Sequence, residues 1–385
     1  MRVAFDARSL ANPVLRGWDR YTVGLVRSLF ALGVEPLLLH AEREPIRQEH
    51  LGDVEVPTIG LNDWRGLWWE QVALPAALRK LEIDIYHAPA EHGVPFLSPC
   101  PRVLTLHSAT WWSFKNLVDA GTLPGPVERY VPNHSGSRRW WASHYWKRQV
   151  RWADHIVAPS DFARREIVDL LHVPERRTTA IPLAVHTQFC RSRKPPADLA
   201  VAVEALGVGT PYVLYVGGYE PHKNVAGLVR LFAAIHQHDP TLHFVLVGTG
   251  DIPERIGSLA TELGVGDRCL FLRDLGPELT DLYDAAALFA SLSWRETFCL
   301  PALEAMTRGT PALASAWGAT PETIGGGGQV VDPRDIEGAA TAALELIHGD
   351  QESLATKARQ QAALFDWKTT ARRTVAVYES LLGLG

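Results

Sequence analysis

Three short stretches of this 385-residue chain put reactive side chains where an α/β protein binds its ligands. The first is Tyr-Val-Leu-Tyr-Val-Gly-Gly-Tyr-Glu-Pro-His-Lys-Asn, ending at Asn224. Here Lys223 follows an apolar strand, and Asn224 has the side chain to cap the helix that starts next. A lysine beside a helix N-terminus makes a phosphate clamp, because amide donors and an ammonium converge on one anion. Taken alone, Lys223 reads sooner as a solvated surface lysine, and His222 as either a phosphate donor or a surface histidine. The second stretch is Glu296-Thr-Phe-Cys-Leu-Pro-Ala-Leu-Glu304. Pro301 suits the first turn of a helix, so Glu304 falls in the opening turns and Glu296 in the loop before them. Unpaired helix-start amides flanked by two carboxylates suit a hydroxyl-rich ligand; favourable helix-dipole placement would equally explain Glu304. The third is His107, which closes the strand Val-Leu-Thr-Leu-His. It reads either as a group that positions a hydroxyl, phosphate or sugar, or as a structural histidine.

Other chemistries fail on spacing. The loops at Gly17, Gly217-Gly218 and Gly248-Thr249-Gly250 do not complete G-x-G-x-x-G, and no G-x-x-x-x-G-K-[ST] exists. Eight residues separate Glu296 from Glu304, which is neither zinc-ligand nor EF-hand spacing. The fifteen His and four Cys form no H-E-x-x-H and no C-x-x-C. Ser160 has no G-x-S-x-G around it. No metal site and no cofactor are therefore expected.

Those residues need strands and helices to hold them. VAFDA, EPLLLH, IDIYHAP, RVLTLHS and HIVAPS read as short buried strands separated by loops and helix-like sequence, which means a mostly parallel sheet covered on both faces. The pattern weakens between Val185 and Thr210 at RSRKPP and then restarts with YVLYV, LHFVLVG, CLFLRD, LFASLS and PALAS. Two βα arrays account for the length. The last stretch, WKTTARRTVAVYESLL, reads as one amphipathic helix. In open α/β sheets ligands sit beyond the carboxyl ends of the strands, which is where Lys223, Glu296 and His107 lie.

Composition narrows the setting. The net charge is -5, from 38 basic and 43 acidic residues, so no global field draws in nucleic acid. No apolar run approaches the roughly 18–20 residues needed to span a bilayer. Asp6 and Arg8 interrupt what would be the apolar region of a signal peptide. Four widely spaced Cys suit a reducing compartment, and a cytoplasmic protein is expected. Of 13 Trp, ten fall in the first 152 residues, and residues 138–151 carry Arg138, Arg139, Lys147, Arg148 and Arg151 with no acid.

In order along nearly the whole chain, these segments resemble the retaining glycosyltransferases of the GT-B superfamily, specifically the "group 1" family 4. FDARSL…GWDRYTVGLVRSL resembles the family opening, LWWEQVALP its L-W-E-Q-x-x-L-P segment, and IDIYHAP and VLTLHS its next strand ends. YVGGYEPHKN is similar to V-G-x-x-x-P-R-K-N. ETFCLPALEAMTRGTPALAS is similar to E-G-F-G-L-P-x-L-E-A-M-x-x-G-x-P-V-x-A-S, with the spacing of its two glutamates intact.

The resemblance implies an α/β GT-B fold: a Rossmann-like acceptor domain over 1–185, a linker over 186–206, a Rossmann-like sugar-nucleotide domain over 207–364, and a C-terminal helix, 365–385, crossing back to the first domain. It implies that Glu304 binds the nucleotide ribose and that Glu296 contacts the transferred sugar, helped by amides around Phe298, Cys299 and Leu300. Lys223 and His222 are implied at the diphosphate, with His222 a cation titrating near neutrality, and Gly17 where backbone approaches it. His107 is implied beside donor sugar and acceptor. The catalytic set is thus His107, Glu296 and Lys223. The implied reaction is retaining transfer of a hexosyl group from a nucleoside diphosphate sugar, GDP-linked by preference, without a metal. The acceptor is a hydroxyl of a glycan or lipid-linked saccharide. Trp111, Trp112, Trp140 and Trp141 are read as aromatic faces for that acceptor, or as packing for a helical subdomain. The basic residues among them leave room for peripheral contact with an anionic membrane on its inner face. A non-hydrolysing sugar-nucleotide epimerase and a non-catalytic nucleotide-sugar-binding protein are the alternatives. Four departures stand out: Thr297 and Cys299 replace two glycines, His222 replaces an arginine, Asp19 replaces a glycine, and Gly218 leaves uncharged a position often basic in the family.

Overall fold

Runs such as Val3-Ala4-Phe5, Leu37-Leu38-Leu39 and Val103-Leu104 are buried on both strand faces, which only a sheet with helices above and below provides. A computed structural model describes the chain apart from residues 14, 16, 53, 63–65, 108, 124, 128–136, 249–251, 274 and 385, and apart from the side chains of 110, 111 and 137–144. It divides into two units. One comprises the elements up to Ala184 together with Asp366 onward, and the other runs from Val185 to Phe365.

The first unit holds a seven-stranded sheet. Its strands are β1 (Arg2–Asp6), β2 (Glu35–Ala41), β3 (Thr58–Leu61), β4 (Ile85–Ala88), β5 (Arg102–Thr105), β6 (His155–Ala158) and β7 (Thr178–Ala180). All pairs are parallel, in the order β3-β2-β1-β4-β5-β6-β7. Phe5 of β1 lies opposite Leu38 on one side and His87 on the other. The strand order reverses between β1 and β4, the kind of switch point beyond whose strand ends open α/β sheets bind ligands.

The helix Gly17–Ala31 follows β1, and the C-terminal helix Trp367–Leu382 packs on it. Gly24 makes that packing possible, because a Cβ there would sit 2.3 Å from the Trp367 ring. Further along, the buried Tyr378 hydroxyl bonds His87 Nδ1 at 2.6 Å. His87 Nε2 reaches Thr105 Oγ1 at 2.7 Å, and Thr105 meets Tyr21 at 3.0 Å. Trp367 thus belongs to the first unit, and of the three tryptophans beyond residue 152 only Trp294 and Trp317 lie in the second.

The second unit repeats the plan with six parallel strands: β8 (Tyr212–Val216), β9 (His243–Gly248), β10 (Cys269–Arg273), β11 (Leu288–Ser291), β12 (Ala312–Ser315) and β13 (Gly328–Val331). Their order is β10-β9-β8-β11-β12-β13, with the reversal between β8 and β11. Its core joins Val213, Tyr215, Phe232, Phe244, Leu246 and Leu313. The segment 186–206, expected as a linker, is structured and clusters with this unit. It carries a 3-10 turn (Thr187–Cys190) and the helix Pro196–Glu204. Arg308 explains why: it pairs with buried Asp284 at 2.7 Å and also donates to the carbonyls of Phe189, at 2.9 Å, and Arg191. Arg193 and Lys194 then pair with Asp284 and Asp281.

Candidate functional site

The reversal between β8 and β11 places two loops side by side. The loop after β8 ends in the turn Pro221–Lys223 and then in Asn224, which takes a left-handed conformation (φ 52°) and caps the helix Val225–His238 by accepting from the Gly227 amide. Asn224 Nδ2 donates to the Leu292 carbonyl at 2.9 Å, tying this loop to the one after β11. The Trp294 amide donates to the His222 carbonyl at 2.9 Å, adding a second tie.

Between those ties Lys223 Nζ donates to Glu296 Oε1 at 2.8 Å, and Ser293 Oγ donates to the same oxygen at 2.8 Å. Burial works against both charges. For Glu296 the Lys223 charge and hydrogen bond outweigh it and hold the carboxyl below its ordinary range. For Lys223 the carboxylate likewise outweighs burial and raises the ammonium. Both groups are therefore ionised at neutral pH. His222 behaves differently. Burial, and then the neighbouring Lys223 charge, push its imidazole well below the ordinary value. The expected second cation is thus a neutral ring, able to give one hydrogen bond and no charge.

The helix Leu300–Arg308 begins just past Glu296, has Pro301 in its first turn, and has no side-chain cap. Cys299 precedes it with φ 68°, a conformation that costs a side-chain-bearing residue free energy. The Cys299 and Leu300 amides come before the first intrahelical bond and face outward from the helix start. Burial first, and Glu296 next, push the Cys299 thiol up to about 12, so it stays neutral. Phe298 is buried against Phe365 with ring centroids 5.5 Å apart. Glu304 sits one turn into the helix, buried, and accepts from the Tyr283 hydroxyl at 2.8 Å. The site therefore presents an ammonium–carboxylate pair, a helix start with its partial positive charge, and a second, fixed carboxylate.

Several residues here carried no sequence signal of their own. Gly318 has φ 79°, and a Cβ would meet the Glu296 carbonyl at 2.5 Å, so only glycine lets this loop press against Glu296. The Ala319 amide completes that clamp by donating to the Glu296 carbonyl at 2.9 Å. Trp294 and Trp317 lie 5.6 Å apart beyond β11 and β12, with Arg334 5.0 Å over Trp317. Two tryptophans just past adjacent strand ends were the available clue.

In the first unit His107 Nε2 donates to the Pro89 carbonyl at 2.9 Å. That bond fixes the tautomer and leaves Nδ1 as an acceptor. Burial lowers His107 to about 4, and the Tyr21 ring stands edge-on to it at 5.1 Å. Gly17 is the first residue of its helix, and a Cβ there would meet nothing within 4 Å. Its lack of a side chain is not a packing requirement. Asp19 is fully buried.

Trp112 is accounted for by packing. It stacks on Trp146 at 4.7 Å and 15°, with Lys147 5.0 Å from its ring, against the unit's core. The side chains of Trp111, Trp140 and Trp141 lie outside the described residues.

The sequence reading missed a polar cluster beyond β1. Arg8 bonds Asp6 at 2.6 Å and Glu70 at 3.0 Å and lies 4.0 Å over Trp69. Glu70 also accepts from Tyr145 and Gln149, each at 2.7 Å. Glu70 sits in a π-helical turn, Trp69–Ala73, a distortion common near functional sites. Among the described residues no group of three or more His, Cys, Asp or Glu side chains is placed to hold a metal ion.

The chain belongs to the glycosyltransferases of group 1, family 4. The family model "Glycosyl transferases group 1" matches residues 200–364, and "Glycosyltransferase Family 4" matches residues 15–189. The chain is 30% identical over 232 residues to O-antigen chain mannosyltransferase B of Escherichia coli, covering 59% of this chain and 60% of that protein. It is 32% identical over 297 residues to D-inositol 3-phosphate glycosyltransferase of Nocardia farcinica, covering 73% and 62% respectively. The chain thus spans about 60% of the length of the curated relatives it matches. Its fold is GT-B. Sucrose-phosphate synthase from Thermosynechococcus elongatus superposes with a TM-score of 0.74 at 22% identity, covering 100% of this chain and 99% of that one. Anabaena HepE in complex with UDP and glucose superposes with a TM-score of 0.71 at 19% identity, covering 99% and 100%.

Proposed function

We propose that the chain is a retaining glycosyltransferase that moves a hexosyl group from a nucleoside diphosphate sugar to a hydroxyl of a glycan or lipid-linked saccharide. The observation that carries this reading is the Lys223–Glu296 pair beside an uncapped helix start, with Glu304 fixed by Tyr283. Kinship with the mannosyltransferase and the inositol phosphate glycosyltransferase supports it, as does the likeness to the HepE structure bearing UDP and glucose.

The chemistry follows from charge. A departing diphosphate gains negative charge as the sugar–oxygen bond lengthens. Lys223 and the Cys299 and Leu300 amides stabilise it, and the neutral His222 ring adds a hydrogen bond. Glu296 accepts from sugar hydroxyls while holding Lys223 in place, and Glu304 accepts from the ribose hydroxyls. The acceptor hydroxyl attacks the face the phosphate leaves, and a departing phosphate oxygen takes its proton, so no side-chain base is required. His107, with Nδ1 as an acceptor, orients a hydroxyl. Leaving-group stabilisation by Lys223 and backbone amides makes the reaction metal-independent in this reading.

Thermal unfolding with GDP-, UDP-, dTDP- and ADP-sugars tests the donor, since a ligand bound only by the folded state raises its apparent stability. A GDP-sugar is expected to give the largest shift. Transfer to a saccharide acceptor in the presence of a chelator, with the anomeric configuration of the product read by NMR, tests the rest. Inversion, or loss of turnover on chelation, overturns the mechanism. Donor conversion without acceptor would indicate an epimerase, and binding without turnover a binding protein.

A further inference from the structure

We propose that Arg8 contacts the acceptor saccharide and restricts it to an uncharged, hydroxylated unit. This rests on the transfer reaction proposed above and adds which side chain reads the acceptor. Two segments that carry the family resemblance, FDARSL and LWWEQVALP, have no part in the donor chemistry, and they meet here. Arg8 follows β1, and the loop from Pro89 to Gly93 follows β4, so the two flank the point where the strand order of the first sheet reverses. Gly93 has φ 96°, and a Cβ on it would lie 2.3 Å from Asp6 Oδ2 and 3.3 Å from Arg8 Nη2. Only glycine lets that loop press against the ion pair. Four residues earlier, the Pro89 carbonyl accepts from His107. One loop thus positions both His107 and Arg8.

The guanidinium is fixed along its Nε–Nη2 edge and open at Nη1. Nε and Nη2 donate to Asp6, Nη2 also donates to Glu70 at 3.0 Å, and the group lies 4.0 Å over the Trp69 ring. Nη1 bonds nothing among the described residues. Glu70 is fixed in turn. Its Oε2 accepts from Tyr145 and Gln149, each at 2.7 Å. Gln149 Oε1 accepts from the Gly93 amide at 2.9 Å, which closes a ring of contacts back to Asp6. Burial, and then the Glu70 charge, push the Tyr145 phenol up to about 12, so it remains a donor. The Arg8 side chain is 21% exposed, against 6% for Asp6 and 7% for Glu70, so the guanidinium is what a ligand meets. A buried ion network adds little net stability, whereas a pre-aligned donor favours binding by cutting the cost of ordering. Charge selects the ligand. Two carboxylates against one guanidinium leave one negative charge over, so the cluster offers a phosphate no net attraction. An uncharged hydroxyl or ring oxygen can take the Nη1 hydrogen bond without that repulsion, at the strength a charged donor gives.

Saturation-transfer NMR of the full chain tests the inference, with methyl glycosides of mannose, glucose and galactose and with the 6-phosphates of the same glycosides as probes. Transfer to each probe is assayed alongside. The best uncharged glycoside should bind about tenfold more tightly than its phosphate. Arg8→Lys keeps the charge but loses the fork, so glycoside binding and acceptor KM should worsen about tenfold while donor KM stays the same. Glu70→Gln removes the surplus carboxylate, so the phosphates should gain about tenfold against the uncharged glycosides. A merely structural role would not move that ratio. Should one variant lose its fold, the wild-type ratio and the other variant decide. Phosphates bound as tightly as the uncharged glycosides, no glycoside bound at all, or an unmoved ratio in folded Glu70→Gln would each overturn the inference. Glycoside binding with the expected ratios in a chain that transfers nothing would instead sink the transfer reaction and keep the Arg8 site.

Discussion

Lys223 Nζ lies 2.8 Å from Glu296 Oε1, so the two side chains with the strongest sequence signal neutralise one another before any ligand arrives. In the function proposed above, an incoming diphosphate would not meet a bare cation: it would have to draw the ammonium partly away from Glu296, which would free that carboxylate for the sugar hydroxyls.

Lys223→Ala should therefore cost about a hundredfold or more in kcat, the scale of losing one leaving-group stabiliser. It also leaves the largely buried Glu296 without its counter-charge. Lys223→Met with Glu296→Gln should regain melting temperature over the single variant and remain inactive. Steady-state kinetics beside thermal unfolding separate the two effects.

Gly318→Ala places a methyl group against the Glu296 backbone at a positive φ. A loss of about 1–3 kcal/mol is expected, together with a rise in donor KM, because the loop carrying Glu296 must shift. Unchanged KM would show that the clamp between these loops is irrelevant to donor binding.

Stability should fall in acid through His87. Burial lowers it to about 3 in the folded chain, against about 6.5 when unfolded. Below pH 6.5 the unfolded chain binds a proton that the folded chain refuses, so the contribution is complete above pH 6.5 and is lost as pH falls toward 3. His107, lowered to about 4, adds in the same direction. Tryptophan fluorescence, drawn mainly from the first unit, should report a melting temperature that drops between pH 6.5 and 4. His87→Gln should flatten that drop.

Arg308 and Asp284 form a buried ion pair that also fastens the chain near Phe189 and Arg191. Arg308→Ala should cost about 3 kcal/mol, because it leaves the buried Asp284 carboxylate with only the part-exposed Arg193 as counter-charge. Arg308→Met with Asp284→Leu should recover only part of that loss, since the two carbonyls still lack their donor. Chemical denaturation measures both.

The sequence made the parallel sheets and the residues of the candidate site in the second unit legible because both are local. Apolar runs mark buried strands, and the eight-residue step from Glu296 to Glu304 is visible in one line. What it hid was set by distant partners. Tyr283 reaches Glu304, and Gly318 reaches Glu296, across loops no spacing rule connects. His222 looked like a titrating cation, and the burial around it, with the neighbouring Lys223 charge, keeps it neutral. Strands β3, β7 and β13 read TIGL, TTA and GQVV, too short or too poor in apolar residues to stand out. Cys299 holds a left-handed backbone, φ 68°, that a glycine would adopt without strain, which its residue type alone did not announce.

The bond from Tyr378 to His87, and the seat of Trp367 on Gly24, bear on the order of assembly during synthesis. A ribosome delivers the first unit's sheet early, yet one of its covering helices lies at residues 367–382. The second unit, contiguous from Val185 to Phe365, can close as soon as it emerges. The portion made first is thus completed last. Until then its Gly24 groove and the His87 ring stay open to water, so a nascent chain stalled before Trp367 is the form most exposed to chaperones and proteases.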